Sequence, residues 1–263
     1  MNLSRCLFCL LCVGLFLTSG CSCHRTPEEL AYIEQTKDPY ESFNRKVFAF
    51  NMAFDKYILK PTAQVYRFGT TQTMRTGVTN FYDNLSETRN ILNGALQTNG
   101  TKTSNATKRF LANTFWGFFG LFDVATDMQV PKYDNDFGQT LAVWGWETSD
   151  TYIVLPFFGS SNPRDIAGTV GDISTPPSLL IALTTPWTSY PLSAVNYVQM
   201  RERSIEFIDN LHHSSTDFYA TVRTMSQQNR QKVIADALGK SNTETTANYD
   251  FDMDFEDFED FEE

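Results

Sequence analysis

Apolar residues recur at steps of three and four along one early stretch: Tyr40, Phe43, Val47, Phe50, Phe54 and Tyr57. That spacing predicts a helix with a single apolar stripe. Asp38-Pro39, with Glu41 three residues after Asp38, reads as its start: Asp caps, Pro suits the first helical position, and Glu41 reaches back as in a capping box. Pro61 predicts its end near Lys60. Asn44 and Asn51 lie seven residues apart on one side of this helix, with Phe48 between them. Tolerated polar residues at a core margin and the lining of a wet passage both fit that arrangement.

Helical periods continue through the chain. A short helix is expected at residues 61–68, and further helices at 73–85, 87–96 and 101–113, with Asn99-Gly100 separating the last two. Asp136 is the expected cap of a helix over 137–144, and residues 164–173 read as helical. Residues 152–158 are the one strand-like run, broken by Pro156 and Gly159. Thr175-Pro176-Pro177 and Thr185-Pro186-Trp187 punctuate a loop-rich region before two longer helices, over 191–211 and 217–238, the second stopped by Gly239. Hairpin signals are lacking, so the predicted class is all-α.

Residues 109–125 are the most apolar part of the body, yet Asn113, Thr114, Gly117 and Gly120 interrupt them. The stretch is too short and too broken for a simple membrane-spanning helix. A buried core hairpin and a segment dipping into one leaflet both suit it. In the second case Phe115, Trp116, Phe118, Phe119 and Phe122 contact the membrane. Phe, at 22 residues, is over-represented in the chain, and aromatic rings suit membrane interfaces as well as cores.

Residues 1–20 read as an export signal: Arg5, an apolar run over 7–17, then small residues before Cys21. Cys directly after such a site resembles a bacterial lipoprotein processing box, with cleavage before Cys23 the poorer alternative. All five cysteines (Cys6, Cys9, Cys12, Cys21 and Cys23) lie in this leading part, so the body has no disulfide framework or thiol site. Acylated Cys21 is the expected lipid anchor, since two or more fatty chains hold a protein to a membrane stably. Ser22 follows it, where the Asp that retains lipoproteins at the inner membrane is absent, which favours the outer membrane.

The charge of −10 is concentrated at the far end, where residues 250–263 hold nine acids and no base; without these and Arg5 the remainder carries −2. Lys102, Lys108 and Arg109 make only a small local patch, so nucleic acid is excluded as a partner. The acidic tail, with Phe at steps of three and four, is expected to be disordered when free. The body's only histidines, His212 and His213, are adjacent near a helix end and do not face the same way. No nucleophile elbow, phosphate-binding loop or metal-ligand spacing is present. The expected protein is not an enzyme and uses no cofactor or metal.

Three ordered blocks carry a resemblance. The first is Asp38, Pro39, Glu41, Phe43, Asn44, Arg45, Phe48, Phe50, Asn51, Asp55 and Pro61. The second is Arg109, Phe110, Asn113, Thr114, Gly117, Gly120, Asp123 and Ala125. The third is Asp136 to Leu141 (Asp-Phe-Gly-Gln-Thr-Leu), Gly145, Tyr152, Leu155-Pro156, Gly159, Arg164-Asp165, Gly168 and Asp172. Together they closely resemble the phospholipid-binding outer-membrane lipoproteins of the VacJ/MlaA family. A weaker stretch with Arg201, Asp217, Tyr219 and Arg223 extends the likeness, although Phe218 stands where members usually carry Pro.

The resemblance implies a single ring-shaped helical domain with a central amphipathic channel, partly embedded in the outer membrane from the periplasmic side. It also implies association with a trimeric porin and passage of mislocalised phospholipids from the outer leaflet to a periplasmic carrier. On that basis Asn44, Arg45, Phe48, Phe50 and Asn51 are the candidate lipid path. The expected layout is a signal peptide over 1–20, an acylated N-terminus and linker over 21–37, the helical domain over 38–240 and the acidic tail over 241–263. The competing class is a structural lipoprotein that bridges envelope layers without carrying lipid; a lipid hydrolase is disfavoured by the scarcity of histidine.

Overall fold

The computed structural model describes residues 26–146, 151–173 and 186–240. The expected signal peptide, Cys21, the loop-rich region at 174–185 and the acidic tail lie outside the described residues. The chain divides into two compact units at Lys37. The described part of the first is α1 (Pro27–Thr36), entered through a capping box between Thr26 and Glu29.

The second unit is all-α apart from one short hairpin. Its helices are α2 (Glu41–Phe54), α3 (Lys60–Gly69), α4 (Gln72–Leu96), α5 (Gly100–Phe115), α6 (Val124–Asp127), α7 (Phe137–Val143), α8 (Pro163–Ile173), α9 (Pro186–Arg203), α10 (Ile205–Ser214) and α11 (Phe218–Ala237). The strands β1 (Ile153–Leu155) and β2 (Gly159–Ser161) pair antiparallel between α7 and α8. The hairpin was unexpected because each strand is three residues long. No described helix is long and apolar enough to cross a membrane.

Caps written in the sequence hold where side chains are free to make them. Asp136 and Asp217 each accept a backbone N–H of the turn they open, at 2.7 and 3.2 Å, and Gly239 ends α11 at φ 67°. Asp38 is the exception. The residue before α2 is Tyr40, which makes no side-chain cap, because both Asp38 carboxylate oxygens are bonded elsewhere, to Asn44, Tyr219 and Arg223.

Pro61 does not stop the first helix either. A π-helical turn over Asp55–Leu59 leads directly into α3, and the Lys60 N–H reaches back five residues to the Asp55 carbonyl. Proline removes one helical N–H and crowds the carbonyl four residues earlier; a widened turn just ahead of it lets the helix pass through. The two short helices expected over 73–96 are one, the 25-residue α4, because no Gly or Pro interrupts it near residue 86. The long helix expected over 191–211 is instead two, α9 and α10, parted at Ser204.

The largest departure concerns which faces are buried. The predicted apolar stripe of α2 and its π turn splits: Phe43 is 56% exposed, Phe50 49% and Tyr57 73%, whereas Val47 packs on the core and Phe54 faces an apolar cavity. On α3, Phe68 is 95% exposed while the Arg67 guanidinium turns to Glu202 and Glu206. Among the described residues seventeen polar or charged side chains are buried against ten hydrophobic ones, five of which are alanines. Along α4 the buried positions are Asn84, Glu87, Asn90, Asn93 and Gly94. The polar four stand three residues apart, so each adjoins the next and the series winds around the helix from α5 toward α7 and α8. Asn93 donates to Asp172 and accepts from Thr140, and the Asn90 carbonyl oxygen accepts from the Asn135 backbone. Arg109, expected in a surface patch, is 2% exposed and paired with both Glu87 and Asp123.

Glycines permit a close helix contact. A Cβ on Gly168 of α8 would lie 2.5 Å from the Gly138 nitrogen of α7. Arg230 of α11 then ties that crossing together by reaching Asp136 and Asp165, at 2.7 and 2.6 Å.

Candidate functional site

Four parts of the chain line an open apolar cavity of about 460 Å³: α2 with its π turn, the β1–β2 tip, α10, and the first half of α11. Phe48, Leu59, Phe157, Ile208, Phe218 and Met225 are among the residues that face it. The helical period of α2 sends Phe48, Asn51 and Asp55 to this wall while Phe43 and Phe50 face away.

The β1–β2 tip is fastened to α2 by one side chain. Asn51 donates to the Leu155 carbonyl and accepts from the Phe157 N–H, both at 2.9 Å. Phe157 is held at φ 66°, a left-handed conformation uncommon for a bulky residue. Its ring meets those of Phe50 and Phe54 edge-on, at 5.3 and 5.0 Å between centroids. Phe157 and Phe158 are each more than half exposed, so they form the cavity's rim.

Asn44 does not reach the cavity. It is 0% exposed, and its amide is consumed by Asp38 Oδ1, the Tyr152 carbonyl and the Val154 N–H at 2.8–3.0 Å. Of the lipid-path candidates it is the one that is fully buried, a tie between α2 and β1. The same knot includes Tyr219, whose hydroxyl donates to Asp38 at 2.5 Å, and Arg223 at 3.1 Å. Burial and the Asp38 carboxylate together push the Tyr219 phenol well above its usual range.

Arg45 lies on the outer rim of this knot. It makes a two-pronged pair with Asp217 at 3.1 and 2.6 Å, a bond to Glu41, and a stacked contact over the Tyr219 ring. The hydrogen bond from Arg45 holds the Asp217 carboxyl below the ordinary carboxylate range. Of the five path candidates, then, Phe48 and Asn51 line the cavity, Phe50 braces its rim from outside, Arg45 ties α2 to the start of α11, and Asn44 ties α2 to β1.

The second feature is a knuckle between α5 and α6. Phe115, Trp116, Phe118, Phe119 and Phe122 are each 61–75% exposed. The chain turns through positive φ at Phe118, Phe119 and Gly120 (50°, 60° and 91°). Beneath it Arg109 grips Asp123 at 2.7–2.9 Å, Asn113 donates to Asp123 at 2.9 Å, and the Ala125 N–H donates to Asn113 at 2.8 Å. Burial would raise the Asp123 carboxyl, but hydrogen bonds from Thr126 and Asn113 and the Arg109 charge more than offset it, and it lies below its ordinary value. Burial dominates at Glu87, which is raised despite its bonds from Asn90 and Arg109.

Among the described residues no group of three or more His, Cys, Asp or Glu is placed to hold a metal ion. His212 and His213 sit in the last turn of α10, with the His212 ring 4.9 Å from that of Phe218. Sequence reasoning did not find Phe157, Phe158, Ile208, Leu211, Val222 or Met225 as lining residues. Phe218 gave the one available signal: a large aromatic directly after the Asp217 cap, where the resembled family has Pro.

The comparisons agree with this architecture. Residues 36–233 match the family described as MlaA lipoprotein. An uncharacterized protein of Rickettsia felis is 37% identical over 75% of this chain and 78% of its own. The intermembrane phospholipid transport system lipoprotein MlaA of Escherichia coli is 32% identical over 81% of this chain and 82% of its own. A solved chain, reported as the structural basis for maintenance of bacterial outer membrane lipid asymmetry, superposes with a TM-score of 0.65 and 31% identity, covering 75% of this chain and 98% of that one. A polar interior, an apolar exterior and the matched blocks of sequence meet in one conclusion: the chain belongs to the MlaA lipoprotein family.

Proposed function

We propose that this protein removes mislocalised phospholipids from the outer leaflet of the outer membrane and passes them to a periplasmic carrier. The carrying observation is the reversal of burial, which suits a body set into lipid with a sheltered path inside. Fully burying one Phe side chain is worth about 1.5–3 kcal/mol. Leaving five knuckle aromatics, Phe68 and the outer face of α2 in water forgoes that gain many times over; contact with hydrocarbon recovers it. Phe115, Trp116, Phe118, Phe119 and Phe122 are the proposed membrane contact, with Cys21 the proposed acyl anchor. Phe48 and Asn51, braced by Phe50, form the proposed start of the lipid path.

The energetics require such a path. The roughly 30 methylenes of a diacyl lipid cost on the order of 25 kcal/mol to expose at ~0.8 kcal/mol each, and a charged head group crossing bare hydrocarbon is also costly. The E. coli relative, named for intermembrane phospholipid transport, supports the same reading. A trimeric porin holding the ring in the membrane, and a soluble carrier below it, complete the proposal.

The test is mass spectrometry of organic extracts from the gently purified, full-length protein, paired with cross-linking in cells. Phospholipid that co-purifies, with links to a porin and a soluble lipid carrier, is the expected outcome. A tight protein partner with no lipid would instead favour a structural bridge between envelope layers.

A further inference from the structure

We propose that α10 is a hinged wall, which turns about the helix break at Ser204 and is held shut by two exposed ion pairs to α3. Its purpose, widening the cavity for cargo, rests on the lipid-transport reading above; the hinge itself rests on how the charges at this joint are buried. Two interrupted helices face each other here. α2 passes into α3 through the π turn at Asp55–Leu59, and α9 passes into α10 at Ser204, whose side chain makes no cap. Helices bend at such places, because the ladder of backbone bonds is locally disturbed. α3 lies along α9. Asp55 and Leu59 on one side of the joint, and Phe207, Ile208 and Leu211 on the other, line the cavity. The angle at which α10 leaves α9 therefore sets the width of the cavity on this side.

The segments on either side of Ser204 are fastened differently. α9 is anchored by charges taken out of water. Arg201 donates to both Asp55 oxygens, at 2.5 and 2.9 Å, and Glu202 meets Arg75 at 3.2 Å. These four side chains are at most 16% exposed, and breaking such a pair strands a charge in the interior. α10 is tied to α3 by Lys60–Asp209 at 2.6 Å and by Arg67–Glu206, with all four side chains 30–58% exposed. Water and salt compete for pairs of that kind, which hold weakly. Asp209 comes no closer than 3.9 Å to Arg201. Arg67 touches both sides of the break: its bond of 2.7 Å to the buried Glu202 fixes it to α9, and its contact with the exposed Glu206 is the one free to give. An anchored α9, a lightly tied α10 and a break between them make a hinge with a latch.

The test is a distance measured by double electron–electron resonance in the full-length protein, held in amphipol with Cys23 replaced by Ser. Spin labels go on Tyr57→Cys of the π turn and Asn210→Cys of α10, both exposed positions. One narrow distance is expected at low salt. Asp209→Asn combined with Glu206→Gln, which removes both ties, is expected to add a longer distance in roughly a tenth or more of the molecules, with the circular dichroism spectrum unchanged. Salt at about 0.5 M is expected to do the same to the unaltered pairs, and Asp209→Glu, which keeps its charge, to retain the narrow distance. Labels on Tyr57→Cys and on Met200→Cys of α9 are expected to hold one distance throughout, because α9 is anchored. An unchanged Tyr57–Asn210 distance in the folded double variant would overturn the hinge, as would equal spreading of the Tyr57–Met200 distance. If the double variant does not fold, the salt titration of the unaltered pairs decides, and a distance that ignores salt overturns the latch. The distances are read without lipid, so their failure leaves the transport reading standing, and a lack of co-purified lipid leaves the hinge standing.

Discussion

Asn44 donates to Asp38 across 2.8 Å, with neither side chain more than 1% exposed. This contact joins the entry of α2 to the knot that Tyr219 and Arg223 bring from α11, so ends of the domain nearly two hundred residues apart are locked together by amide and carboxylate.

Asn44→Leu is therefore a folding mutation. It strands the Val154 N–H, the Tyr152 carbonyl and one Asp38 oxygen in the interior, at an expected cost of about 3–5 kcal/mol. Asn51→Leu removes two bonds at a partly buried site and is expected to cost about 1 kcal/mol, while loosening the β1–β2 tip at the cavity rim. Denaturant melts of the two variants check the contrast, and equal losses would refute it. Surface-exposed phospholipid is expected to rise in cells carrying Asn51→Leu with protein levels unchanged.

Gly117→Ala tests the knuckle. The added Cβ would stand 2.2 Å from the Phe122 carbonyl oxygen and 2.5 Å from that of Asn113. Both are backbone atoms, so the turn must open, at an expected cost of about 2–3 kcal/mol. Gly100→Ala, with nothing within 4 Å of the new methyl, is the control and is expected to be neutral or stabilising. Limited proteolysis should cut faster within residues 116–122 of the first variant only.

Acid has two opposed effects. Glu87 and Asp172 are raised, chiefly by burial. Groups raised in the folded state take up protons there first, so their effect on stability improves as pH falls from neutral toward about 5. Asp123 and Asp136 are depressed; burial opposes this, but the Asp123 partners named above and, at Asp136, the bond and charge of Arg230 prevail. Their contribution is present above the unfolded value of about 3.9 and is lost as pH falls through the lower folded one. The thermal midpoint, followed by circular dichroism, is expected to peak near pH ~5 and fall steeply below ~4. A steady fall from neutrality to pH 5 would contradict this, and Asp136→Asn is expected to flatten the acid limb.

These variants also mark what the sequence could tell. Caps at Asp136 and Asp217, the stop at Gly239 and the break at Asn99-Gly100 were legible because each is a local contract between a side chain and its own backbone. The direction of α2 was not. Periodicity finds a stripe but not which way it faces, and the usual assumption that Phe43, Phe50 and Tyr57 turn inward fails when the exterior is apolar. The pairing of Asn44 and Asn51 on one side was visible in their spacing. That the first would be sealed into a knot and the second would hold a hairpin depends on β1 and α11, which come more than a hundred residues later. Phe157 stayed hidden for a related reason: its left-handed backbone and its grip by Asn51 leave no local pattern.

The winding series of asparagines and Glu87 along α4 sets how this molecule responds to different solvents. What fastens α4 to α5 and to the segment carrying Asn135 is a ladder of amides and charges rather than oil. Surfactants, which compete for grease, should leave that ladder standing and simply coat the outer rings. Urea, which solvates amides, attacks the ladder itself. A protein built this way tolerates a micelle that would dissolve an ordinary core, and yields early to a denaturant that an ordinary core would resist.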